Sequence, residues 1–146
     1  MTTTDYKSSL AVQATPEVIY SALTTGIAAW WSEDYSGAAA KVNDEFTVKF
    51  QGKNLIHMRV TELVPNKKVT WTCVNFFIDV DAPIHDKSEW IGTKVYWEIG
   101  PSKLDMLHEG LTQEFECYSF CSAGWDQFLG SLKDLLNGGS GSPYKA

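Results

Sequence analysis

Apolar and polar positions alternate early in the chain, with Tyr6, Ser8, Leu10 and Val12 on one side of a strand running from Asp5 to Ala14. Thr15-Pro16-Glu17 then supplies a capping hydroxyl, a proline suited to the first helical position and an acid in the first turn. Val18, Ile19, Ala22 and Leu23 form the apolar stripe of the short helix that follows, which stops near Thr24-Thr25-Gly26. Ile27 to Trp31 predicts a second brief helical turn. From Glu45 the period changes to two. Phe46, Val48 and Phe50 share a face. After the Gln51–Asn54 turn Ile56, Met58 and Val60 do the same, and after Val64-Pro65-Asn66-Lys67 so do Val69, Trp71 and Cys73. Two later strands carry Val95, Trp97 and Ile99, and Leu104, Met106 and His108, joined at Gly100-Pro101-Ser102. Phe76 to Glu89 reads as an acid-bearing excursion containing Asp79, Asp81, Pro83, His85 and Asp86.

The last segment returns to helical spacing. Tyr118, Cys121, Trp125, Phe128, Leu129, Leu132 and Leu136 line one face of a long helix ended by Gly138-Gly139, and residues 138–146 read as a flexible tail. The order is strand, two short helices, a meander of antiparallel strands and one long helix, an α+β domain of 146 residues with no internal repeat. One helix cannot cover a wide curved sheet completely, and the space left between them is the expected ligand pocket.

Composition narrows the partners. Eighteen acids against twelve bases give a net charge of −6, which disfavours nucleic acid and anionic membranes. No apolar run approaches the ~20 residues of a membrane span, and the first residues do not resemble a signal peptide. Three cysteines in this arrangement do not read as a disulfide framework, so a cytoplasmic location with reduced thiols is expected.

Aromatic residues are 13% of the chain, six of them tryptophan. Alternation turns Trp71, Trp97 and Trp125 inward, and Trp30-Trp31 would sit at the mouth of a cavity. Such rings either fill the core or form the wall around an apolar or planar ligand. The residues expected to meet a ligand are Trp30, Trp31, Phe46, Met58, Trp71, Cys73, Trp97, Met106, His108, Tyr118, Cys121 and Trp125. His108 is an inward imidazole that can serve as a base, as a ligand's hydrogen-bond partner or as a core group fixing a loop. Cys117 and Cys121 stand one helical turn apart with His108 as a conceivable third metal ligand. No fourth is apparent, and small buried hydrophobes are the simpler reading. The acidic excursion fits no calcium loop and reads as a solvated lid. Glu109 and Glu116 are expected to organise the turn into the long helix by capping. No metal or other cofactor is called for, and no recognisable catalytic motif is present.

Several segments carry a resemblance. Thr15-Pro16-Glu17, Trp30-Trp31, Thr61-Glu62-Leu63-Val64-Pro65, Gly92-Thr93-Lys94-Val95 and Leu107-His108-Glu109-Gly110-Leu111 resemble the START-like (SRPBCC) superfamily, in the branch related to the activator of the heat-shock-protein-90 ATPase. The stretch Glu116 to Ser122, Gly124-Trp125, Gly130-Ser131-Leu132-Lys133 and Gly139 to Pro143 is similar to a bacterial single-domain subfamily of that branch. The resemblance spans about Tyr6 to Pro143. It implies a helix-grip fold, a sheet wrapped around the long helix with a cavity between. Members bind hydrophobic ligands, act as co-chaperones or catalyse cyclisations. Three functions therefore stand side by side: a non-enzymatic binder of a hydrophobic or aromatic small molecule, a chaperone-linked interaction protein, and a cyclase or hydrolase using His108. A homodimer is expected by analogy.

Overall fold

The computed structural model describes residues 5–51, 53–78 and 89–145. Strand β1 (Tyr6–Ala11) leads into helix α1 (Pro16–Thr24), a 3₁₀ turn at Ile27–Ala29 and the short strand β2 (Tyr35–Gly37). The meander comprises β3 (Glu45–Lys49), β4 (Leu55–Val64), β5 (Lys68–Phe77), β6 (Lys94–Gly100) and β7 (Lys103–Glu109), and helix α2 (Tyr118–Leu136) closes the order. All seven strands form one antiparallel sheet, ordered β1-β7-β6-β5-β4-β3-β2. This is the helix-grip arrangement.

Local chemistry accounts for the boundaries. Thr15 Oγ1 accepts the Val18 amide at 3.3 Å with Pro16 in the first turn, as the sequence predicts. Asn66 and Ser102 adopt left-handed conformations at the tips of the β4–β5 and β6–β7 hairpins. Register shifts at His57/Met58 and Val60/Glu62 bulge the β4–β5 pair, the distortion that lets a sheet curl round a helix. Inward positions alternate as expected: Phe46 and Val48, Ile56, Met58 and Val60, Val69 and Trp71, Val95 and Trp97, Leu104, Met106 and His108 are all buried.

Four differences from the sequence reading matter. The first strand stops at Ala11, because Ala11 already pairs with Lys103 at the end of β7. Strand β2 was not expected; it pairs with β3, and Gly37 (φ +96°) is required there because a Cβ would stand 2.3 Å from Glu45 O. Strand β5 runs on through Phe76 and Phe77, paired with Ile56 and Leu55, where an excursion was expected to begin. Asp79, Asp81, Pro83, His85 and Asp86 lie outside the described residues.

The C-terminal residues, read as a flexible tail, instead fold back along α2. The Gly141 amide donates to Asp134 Oδ2 at 3.0 Å and the Ser142 amide to Ser131 Oγ at 2.6 Å. Tyr144 N–H then donates to Trp31 O at 3.0 Å while its carbonyl accepts Glu33 N–H at 2.8 Å, a parallel bridge beside Ser32.

Candidate functional site

A cavity of about 500 Å³ lies between the first half of α2 and the adjoining ends of β4 and β5. Helix α2 contributes Phe120, Cys121, Ala123, Gly124, Trp125, Gln127 and Phe128. The sheet side contributes Phe50, Leu55, Ile56, Phe76, Phe77 and Ile78, with Gln51 and Asn54 from the β3–β4 turn. Trp31, Trp90 and Tyr144 complete the wall.

The deep wall is a column of rings. Phe76 stacks on Trp90 (centroids 4.8 Å apart, planes within 9°), and Trp90 on Trp125 (5.8 Å, 10°). Trp125 tilts against Trp31 at 5.1 Å, and Trp31 stacks on Trp30 at 5.4 Å. Ring pairs of this kind are worth about 0.5–1.5 kcal/mol beyond the area they bury. The column has two sides. Trp31, Trp90 and Trp125 touch the cavity with one part of their surface and the solid core with the rest.

Of the expected ligand-contacting residues, the structure brings Trp31, Cys121 and Trp125 to the cavity wall. Trp30, Phe46, Met58, Trp71, Cys73, Trp97, Met106 and His108 are buried in the core away from it, and Tyr118, the first residue of α2, is not on the wall. The physical reason is that the rings consume their own space. Trp71 meets Trp31 at 5.8 Å, Phe46 at 5.1 Å and Trp97 at 5.5 Å, leaving no void between them. The Trp30-Trp31 pair is not at a mouth: both rings are buried, and Trp30 Nε1 donates to Ala22 O at 2.8 Å. Among the described residues, the indole N–H groups of Trp71 and Trp97 are buried without a hydrogen-bond partner, while that of Trp90 is directed at the Cys121 thiol.

His108 is a fully buried structural hub. Trp125 Nε1–H donates to its Nδ1 at 3.0 Å, which fixes the tautomer with the proton on Nε2. Nε2–H then donates to Thr93 Oγ1 at 2.8 Å, and the Thr93 hydroxyl donates to Trp90 O at 2.6 Å. Both ring nitrogens of His108 and the Thr93 hydroxyl are thereby engaged. Burial pushes the His108 pKa down to about 3, so the ring is neutral. Gly110 beside it has φ +100°, and a Cβ there would press on Thr93 Cγ2 at 2.8 Å.

The cysteines behave as buried thiols. Cys117 and burial together drive the Cys121 thiol strongly up, and burial pushes Cys73 up to about 12. Among the described residues no three His, Cys, Asp or Glu side chains converge as a metal site. At the start of α2 the Glu89 carboxylate accepts the Glu116 and Cys117 amides at 3.0 Å each, an acid that sequence reasoning did not place there. A second groove, of about 670 Å³, lies on the opposite face of the sheet. Its walls set Lys7, Lys68, Glu98, Asp105 and Glu109 among Tyr96, Met106 and Leu107, so charged side chains of both signs edge whatever apolar surface it offers.

Residues 13–137 match the model of the family "Activator of Hsp90 ATPase homolog 1-like protein". The chain belongs to this family. Among solved structures, it is similar to the Aha1 dimer of Colwellia psychrerythraea, with 29% identity over 94% of this chain and 99% of that one, at a TM-score of 0.74. A Mesorhizobium loti protein (20% identity, 91% and 96% covered, TM-score 0.70) and a Chromobacterium violaceum protein (22%, 90% and 96%, TM-score 0.64) share the fold. No curated protein matches the sequence. Among the described residues, no helix is long and apolar enough to cross a membrane.

Sequence reasoning missed Phe50, Phe76, Trp90, Gly124, Phe128 and Tyr144 as members of the wall. A signal was present for some. Phe128 lies on the same helical stripe as Cys121 and Trp125, and Phe50 continues the inward face of β3. Trp90 and Tyr144 sit outside regular elements, where periodicity says nothing.

Proposed function

We propose that this protein binds a hydrophobic, ring-bearing small molecule in the cavity between α2 and the ends of β4 and β5, and does not transform it. The observation that carries this reading is the cavity itself. A volume of about 500 Å³ walled by Phe50, Phe76, Trp90, Trp125 and Phe128 falls within the range of sites for drug-sized molecules. An enzyme using His108 finds less support, because both ring nitrogens are engaged and the residue stands behind the wall. Titration with Nile red, followed through tryptophan emission, should show saturable one-to-one binding, and native mass spectrometry of untreated protein should show any retained molecule. Absence of saturable binding refutes the reading.

The family match favours a second reading, in which the chain acts on a chaperone ATPase. Retention of the host's Hsp90 on immobilised protein, with a raised ATPase rate, would support it; no retention and an unchanged rate would refute it. The Colwellia relative is a dimer, and we extend that state to this chain, to be checked by light scattering. A cytoplasmic setting accords with three free, buried cysteines.

A further inference from the structure

We infer, resting on the binding function proposed above, that the ligand carries no formal charge and that Gly124 sets its size by leaving bare helix backbone for a flat ring to lie against. Two independent observations carry this. The first is charge. None of the described residues lining the cavity is an Asp, Glu, Lys, Arg or His. An ionised carboxylate or ammonium brought in there would lose its water and find no counter-charge among these described lining residues, a penalty that neutral molecules escape. The polar groups on the wall are neutral. The Gln51 and Gln127 amides are exposed, whereas Trp31, Trp90, Trp125 and Phe76 are buried. A ligand is thereby oriented with its apolar rings inward and a neutral polar edge toward the amides.

The second observation is Gly124. It sits inside α2 with ordinary helical backbone, and a Cβ built on it would meet nothing within 4 Å. Neither a left-handed conformation nor a close neighbour requires glycine there. Glycine nevertheless weakens a helix relative to alanine. What its missing side chain does provide is free space on the cavity wall between Phe120, Cys121 and Phe128. Gly130 offers an internal control. It is equally unobstructed, but it is exposed and does not line the cavity.

The test uses two dyes with one skeleton, neutral N-phenyl-1-naphthylamine and its anionic counterpart 8-anilinonaphthalene-1-sulfonate, titrated into the full chain at pH 7. The neutral dye should bind saturably and at least tenfold more tightly than the sulfonate. Gly124→Leu should weaken the neutral dye at least tenfold, while Gly130→Leu leaves it within twofold of the parent. Gly124→Ala and Gly130→Ala should each raise the melting temperature by about 2–5 °C through helix propensity, keeping the comparison valid if the leucine variants fold poorly. In the alanine pair, only Gly124→Ala should alter dye affinity. Equal binding of the two dyes overturns the charge inference, and unchanged binding by both Gly124 variants overturns the role of Gly124. Either result leaves the binding function standing. If neither the neutral dye nor Nile red binds saturably, the binding function and this inference fall together.

Discussion

Protonating His108 should unfold this protein from within. The imidazole has a pKa of about 3 in the fold against 6.5 in an exposed chain, because burial removes the water that would solvate its charge. The hydrogen-bond pattern adds to this: a proton on Nδ1 would face the Trp125 N–H, donor against donor. Below pH 6.5 the unfolded chain takes up a proton that the folded chain refuses, so stability is complete above that pH and falls toward pH 3. Over the full gap the loss amounts to roughly 5 kcal/mol, comparable with the entire stability of many small domains. Between pH 7.5 and 4.5, above most carboxylate titration, the share due to His108 is roughly 3 kcal/mol. Urea unfolding monitored by tryptophan emission at several pH values in that window measures it. The comparison is His108→Gln, which cannot titrate. The variant will be less stable at pH 7.5, since Trp125 and Thr93 lose their imidazole partner, but the difference between the two proteins should shrink as pH falls. A difference that stays constant from pH 7.5 to 4.5 refutes the reasoning.

Two further outcomes follow from the geometry. Trp30→Phe strands the Ala22 carbonyl that Trp30 Nε1 satisfies, whereas Trp71→Phe removes an indole N–H that has no partner; both lose similar ring area, so by urea titration Trp30→Phe should be the costlier by about 1–3 kcal/mol. Gly141→Ala forces a side chain into a φ of +74° and places its Cβ 2.4 Å from Ala29 O, which should release the C-terminal segment; faster hydrogen exchange at the Glu33 amide reports this, and unaltered exchange would show that the backbone accommodates the methyl group.

Much of the fold was legible because its signals are local. Thr15-Pro16 marks a helix start by its own hydrogen bond, and period-two runs such as Phe46, Val48 and Ile56, Met58, Val60 bury as they alternate. Three residues of β2 are too few to show a period, and β5 continued past Asn75 because cross-strand pairing with Ile56 and Leu55 outweighed the loss of alternation. The site was harder to read. Alternation tells which way Trp71 and Trp97 point but not whether another ring waits there; Trp31, packed between Trp71 and Trp125, and Trp30 and Trp125, packed on Trp97, decide that over separations of tens of residues. The wall also draws on Trp90 and Tyr144, placed by Thr93, Glu33 and Trp31 through backbone contacts that no short motif encodes.

The column from Phe76 to Trp30 also bears on how this protein handles light. Its four tryptophans sit with neighbouring centroids 5.1 to 5.8 Å apart, and Trp71 and Trp97, 5.5 Å from each other, join them at 5.8 to 6.0 Å. At such separations an excited indole passes its energy to a neighbour faster than it emits. The six rings therefore act as one antenna, and a quencher resting against Trp31, Trp90 or Trp125 dims all of them together. A dye in the cavity would be read out by the whole core, and no single-tryptophan deletion will assign the signal to one ring.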